Sequence, residues 1–83
     1  MKHGGFELQI GAQAFLDEGG EEIGAVREVG PDYVVVYVED AGDFTISALE
    51  IQAAHDGKLI LDRAKLDPSV LEAVRHAHER EDN

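Results

Sequence analysis

The chain has 83 residues, of which 43% are hydrophobic and 30% are charged, so its length and composition predict one small globular domain. It contains no cysteine, which excludes disulfides, thiolate chemistry and zinc sites that need cysteine. No apolar run approaches the roughly 18 residues of a membrane helix, and the N-terminus lacks an apolar signal core. We therefore expect a cytoplasmic protein that does not enter a membrane.

The net charge of −11 is unevenly distributed along the chain. Residues 1–57 carry two basic and twelve acidic side chains, whereas residues 58–83 carry five basic and six acidic ones. Nucleic-acid affinity comes largely from Lys and Arg, and anionic lipid headgroups repel carboxylates. The charge therefore argues against direct nucleic-acid binding and against membrane association. Its simplest role is to keep the chain soluble.

Short alternating or apolar segments between glycine- and acid-rich turns predict a series of β-strands. In chain order these segments are residues 6–10, 12–16, 23–29, 33–38, 44–47, 51–55 and 58–61. We expect a bulge or tight bend at Gly24 and a type I′ hairpin turn at Asp56-Gly57, whereas residues 48–50 could form a single helical turn. Turns spaced by about 8–12 residues predict an antiparallel barrel or sandwich.

A helix is predicted after this β region. Asp67 is a favourable N-cap, and Pro68 stands at the first helical position, where its missing N–H costs nothing. An apolar stripe follows and the helix is expected to end near Glu81; the stripe consists of Val70, Leu71, Val74 and Ala77. The predicted organisation is a flexible start at residues 1–5, a β-barrel at 6–63, and a helix with its tail at 64–83.

The run Tyr33–Val38 is the one predicted strand without a polar face. Side chains alternate across a strand, so the three valines at even positions share one face, and Tyr33, Val35 and Tyr37 share the other. One face is expected to line the core. The other could be covered by the C-terminal helix of the same chain, by a second protomer, or by a helix that crosses to a neighbouring subunit. The candidate interface residues are Val34, Val36, Val38, Val70, Leu71 and Val74.

Residues 8–62 resemble PRC-barrel domains, the family named for the photosynthetic reaction centre H subunit and also found in a ribosome maturation factor. The resemblance lies in Ile10-Gly11, a turn with Gly19 or Gly20, the return Ile23-Gly24 with Val26, the valine-rich strand, and the hairpin around Asp56-Gly57. Ser47-Ala48 stands where family members often carry Ile-Pro, and the C-terminal helix lies outside the pattern. The resemblance implies a small antiparallel β-barrel of about six strands, used as an adaptor or assembly module without catalytic activity.

The polar residues do not form a recognisable metal or catalytic motif. His76 and His78 project about 200° apart on a helix and cannot share an ion, and His3 and His55 stand apart from them. The acidic turns do not match the ligand spacing of a calcium loop, and neither serine lies in a nucleophile elbow. We therefore predict no metal, no cofactor and no catalytic residues.

The leading hypothesis is a non-enzymatic protein-interaction module, forming a homodimer or binding another protein. The alternative is a ribosome- or RNA-associated assembly factor, which would have to touch ribosomal protein rather than RNA because of the acidic charge. A small metal-binding protein or enzyme is the third hypothesis.

Overall fold

The structure, a computed structural model, describes residues 8–81, and it describes side chains for residues 8–76. The predicted flexible start, Phe6, and the side chains of Ala77 and His78 lie outside these residues. Within the described range the chain forms six strands, one 3-10 turn and one α-helix. They are β1 (Gln13–Leu16), β2 (Glu22–Val29), β3 (Tyr33–Val38), β4 (Gly42–Ser47), the 3-10 turn (Ala48–Glu50), β5 (Ile51–His55), β6 (Lys58–Leu61) and α1 (Pro68–Glu81).

All six strands belong to one curled sheet with the order β4-β3-β2-β1-β6-β5. The neighbouring pairs are antiparallel except β1 and β6, which run parallel. The three-residue 3-10 turn joins β4 to β5, the two end strands, so the sheet must curl until its ends approach at that corner. The predicted mainly β fold with six strands and a C-terminal helix is confirmed. The sheet is mixed rather than wholly antiparallel, and it forms a half-barrel.

The hydrophobic core fills the inside of the curled sheet and extends to the start of α1. Because side chains alternate between the two faces of a strand, about every second one points into the core. Leu66, which follows β6, and Val70 of α1 complete the core. The buried cluster consists of Ala14, Leu16, Ile23, Val26, Val34, Val36, Val38, Ile46, Leu59, Leu61, Leu66 and Val70. Every strand except β5 contributes to it, and Ile51 and Ala54 of β5 pack against it.

The bulge predicted near Gly24 is present. The register between β1 and β2 shifts between Ala14, which faces Gly24, and Phe15, which faces Glu22. On its other side Gly24 packs closely against β3, since an ideal Cβ at this position would lie 1.8 Å from the carbonyl oxygen of Tyr37. Glycine therefore allows β2 to bend while staying paired with both neighbours.

The strand predicted over residues 6–10 is not formed where the structure describes it. Residues 8 and 9 are irregular, and residues 10 and 11 form a turn in which the Ala12 N–H donates to the Gln9 carbonyl at 3.0 Å. Gly11 has a φ of +96°, a conformation that interrupts a strand. Leu8 packs against the core, but the Ile10 side chain is left 71% exposed.

The helix begins as its sequence predicts. The Asp67 side chain accepts a hydrogen bond from the Ser69 backbone N–H at 2.9 Å, and Pro68 is the first helical residue. This hydrogen bond from the Ser69 N–H lowers the pKa of Asp67. Leu66 is buried in the core, and the Asp67 backbone N–H donates to the Glu50 carboxylate at 3.1 Å, so the first turn of α1 is held against the core.

Candidate interaction surfaces

The three valines of the predicted interface lie inside the fold. Val34, Val36 and Val38 are 0%, 0% and 1% exposed and belong to the core cluster. The curl of the sheet makes their face the concave one, so the chain itself covers them. This corrects the prediction that these valines are available to a partner.

The three helix residues of the predicted interface lie partly on the core and partly beside it. Val70 is buried at 3% exposure in the same cluster as the β3 valines. Leu71 and Val74 pack against that cluster but remain half-buried. The helix therefore packs on its own chain, which was the first of the three alternatives for the apolar faces. Leu71 and Val74 remain at the edge of this contact.

A groove lies where α1 meets the β1–β2 hairpin. It has a volume of about 490 Å³, and we call it the helix groove. Its apolar lining comes from β1, the first turn of α1 and the helix edge, while charged side chains stand around it. The lining residues are Leu16, Glu21, Arg63, Pro68, Leu71, Glu72, Val74 and Arg75.

Ion pairs fix the charged side chains around the helix groove. Arg63 donates from its backbone N–H to one carboxylate oxygen of Asp17 and from its Nε to the other, both at 3.1 Å. The backbone hydrogen bond, assisted by the guanidinium, lowers the pKa of Asp17. On the helix, Arg75 and His76 both contact the Glu72 carboxylate. Asp17 lies outside the lining, so the charged residues that line the groove are Arg63 and Arg75 with Glu21 and Glu72.

The second face of β3 lies on the convex side of the sheet. Tyr33 and Val35 are half-buried there, and Tyr37 is 37% exposed. Tyr33 donates its O–H to the Glu28 carboxylate at 2.8 Å, and this hydrogen bond raises the pKa of Tyr33. Tyr37, which lines a depression together with Ile10, is the most accessible residue of β3.

A shallow depression of about 240 Å³ lies beside Tyr37, and we call its lining the Tyr37 face. The lining consists of Ile10, Gly11, Ala25, Val26, Arg27 and Tyr37. The Arg27 guanidinium lies over the Tyr37 ring, 5.1 Å from its centroid, and its Nε contacts the Asp43 carboxylate at 3.2 Å. Asp43 is the β4 residue directly opposite Tyr37.

The histidines and carboxylates that the structure describes do not assemble into a group of three or more able to hold a metal ion. His55 lies 3.4 Å from Asp56 and 3.8 Å from Glu18, and His76 pairs with Glu72. His3 and the His78 side chain fall outside the described residues. Across the described part of the chain, no helix has the length and apolar composition that a membrane crossing requires.

Comparisons with family models, curated proteins and solved structures find no match to this chain. The fold thus defines the class, a mainly β half-barrel with a C-terminal helix. The resemblance to PRC-barrel domains stays a prediction.

Sequence reasoning missed the Tyr37 face. The alternation of Tyr33, Val35 and Tyr37 was visible, but both faces of the strand are apolar and the pattern does not say which one is concave. The spacing of Ile10 from Leu8 predicts a strand residue on the buried face, whereas the turn at Ile10-Gly11 leaves the Ile10 side chain at the surface. The signal that could have indicated this face is Arg27, the single Lys or Arg between residues 8 and 57.

Proposed function

We propose that this chain is a non-enzymatic protein-interaction module that self-associates through the helix groove. The observation that carries the proposal is the combination of apolar lining and balanced charge in that groove. Pro68, Leu71 and Val74 supply apolar surface that stays exposed or half-buried, next to the buried side chain of Leu16. Contact with a second copy would remove this surface from water.

The mixed charges of the groove favour contact with a second copy, whereas the rest of the acidic surface repels it. Residues 8–57 carry eleven carboxylates and only Arg27 to oppose them, so this part of the chain is strongly negative and two copies repel there. The helix groove instead carries Arg63 and Arg75 beside Glu21 and Glu72. In a twofold-symmetric contact the same patch faces itself, so each arginine can approach a carboxylate of the other copy.

Charge reversal at the groove tests this proposal. Arg75→Glu places an extra negative charge in the groove, whereas Lys65→Glu makes the same change at an exposed position outside its lining. Sedimentation velocity should give wild type and Lys65→Glu a mass near twice the 9.0 kDa of one chain, and Arg75→Glu a mass near 9.0 kDa.

Salt provides a second readout of the same proposal. Because the two copies are both strongly acidic, raising NaCl from about 50 mM to about 500 mM should strengthen the dimer by screening their overall repulsion. A wild-type mass of 9.0 kDa at every salt and protein concentration tried, or equal masses for the two charge-reversal variants, would remove self-association through the groove.

A further inference from the structure

We infer that the Tyr37 face binds a cationic protein segment that carries an aliphatic or aromatic side chain. This inference adds a partner to the proposed interaction module, on a different surface, and does not depend on self-association. It starts from apolar groups that the fold leaves in water. Ile10 is 71% exposed beside the ring of Tyr37, and a depression of about 240 Å³ lies between them and Ala25.

Carboxylates lie on the strands and the turn next to this face, outside the lining of the depression itself. Asp43 stands opposite Tyr37 on β4, and Glu28 stands opposite Val35 on β2. The turn that follows β3 adds Glu39 and Asp40, which are both exposed. A segment with lysines or arginines on either side of one apolar residue would therefore match the face in both hydrophobicity and charge.

The chain itself shows how a cation is held on this face. The Arg27 guanidinium lies 5.1 Å from the Tyr37 ring centroid and its Nε is 3.2 Å from the Asp43 carboxylate. An aromatic ring with a carboxylate at its edge is a favourable site for a guanidinium or ammonium group. Arg27 is exposed, so it can move aside and yield this position to a partner's Lys or Arg.

Two matched pairs of variants separate this site from the general negative charge of the chain. Arg27→Ala uncovers Tyr37 and Asp43, and its control Lys58→Ala removes the same charge and a comparable contact, that of Lys58 over Phe15 at 5.8 Å. Ile10→Lys adds a like charge at the face. Its control, Leu49→Lys, makes the same change at an 81% exposed leucine between β4 and β5.

The probe is a short synthetic peptide in which lysines flank a central pair of leucines, titrated into the ¹⁵N-labelled chain and followed by NMR amide shifts. We expect shifts concentrated at Ala25, Arg27 and Tyr37. Arg27→Ala should tighten binding about threefold, and Ile10→Lys should weaken it about tenfold, with less than about twofold change for either control. Binding should weaken as NaCl rises, the reverse of the expected salt effect on the dimer.

Three results would overturn the inference. They are the absence of any shift at low salt, equal effects within each variant pair, or equal binding of a peptide in which glycines replace the leucines. Equal effects would mean that the peptide senses only the net charge of the chain. Since the dimer is measured without peptide, failure here leaves the self-association result unchanged, and failure of self-association leaves this result unchanged.

Discussion

At the scale of single residues, three aspartates occupy turn positions whose backbone has a positive φ. Asp17, Asp40 and Asp56 have φ angles of 67°, 66° and 54°, in the left-handed region that aspartate tolerates better than most residues. Asp56 and Gly57 both have positive φ, as a type I′ turn requires. Asp17 has a second role, because its carboxylate holds the backbone and guanidinium of Arg63.

Asp17→Asn is expected to destabilise the chain in a pH-dependent way. The pKa of Asp17 is lowered in the folded state, so its charged form stabilises the fold above the unfolded value of 3.8, and this contribution is lost as pH falls through the lower folded value. Thermal unfolding should therefore give a lower Tm than wild type near neutral pH, and this difference in Tm should disappear as the pH falls through the lowered pKa of Asp17 in the folded state.

The control for this variant is Asp40→Asn, which makes the same change at another left-handed turn residue. The comparison must be a difference from wild type at each pH, since protonation also relieves the general repulsion of an acidic chain. A Tm difference for Asp17→Asn that does not change with pH would contradict the assigned role of the carboxylate.

Truncation of Val36 tests which face of β3 lies in the core. Its side chain is fully buried between strands, so Val36→Ala removes two carbons without adding a polar group and should cost about 2 kcal/mol. The matched control is Val35→Ala, at the neighbouring half-buried position on the opposite face. Urea unfolding of both variants measures the costs, and a larger cost at Val35 than at Val36 would mean that the faces of β3 are reversed.

At the scale of elements, hydrogen bonds to Glu50 in the 3-10 turn link the sheet to the start of the helix. The Glu50 carboxylate accepts from the Ser47 backbone N–H at 2.8 Å and from the Asp67 backbone N–H at 3.1 Å. The Glu50 carbonyl also accepts from the Asp62 N–H at 2.9 Å. One residue thus ties together the end of β4, the exit from β6 and the start of α1.

Glu50→Ala should loosen the helix more than the sheet. It removes the hydrogen bonds from Ser47 and Asp67, and a cost of about 1–2 kcal/mol is expected for a half-exposed acceptor of this kind. Amide hydrogen exchange should accelerate at Val70 and Leu71 more than at Val34 and Val36. Exposed Glu39→Ala serves as the control, and uniform acceleration across both elements would show that Glu50 has no specific role at the helix start.

At the scale of the whole molecule, charge separates two regions of the surface. The strands and turns through residue 57 hold nearly all of the net negative charge, and the helix region is close to neutral. The two proposed surfaces follow this division, with a cationic partner on the acidic sheet and a second copy on the balanced groove. The ribosome- or RNA-associated alternative stays a prediction that co-sedimentation with ribosomal subunits would test.

Local patterns predicted the elements better than they predicted the surfaces. The bounds of β3, β5, β6 and α1 follow from β-branched runs, the Asp56-Gly57 turn and the Asp67-Pro68 cap, which are all signals within a few residues. The parallel pairing of β1 with β6 and the concave face of β3 depend on contacts between distant segments. These are decided by the packing of the whole sheet, so no local pattern encodes them.

The most direct test of self-association is an isotope-filtered NOE experiment on a mixture of ¹³C-labelled and unlabelled chains. It detects contacts between copies only. We predict intermolecular NOEs from the methyl groups of Leu71 and Val74, the half-buried residues of the helix groove. Their absence at a concentration where sedimentation gives a dimer, or NOEs confined to Ile10 in its turn and Val35 on the convex side of the sheet, would contradict the account.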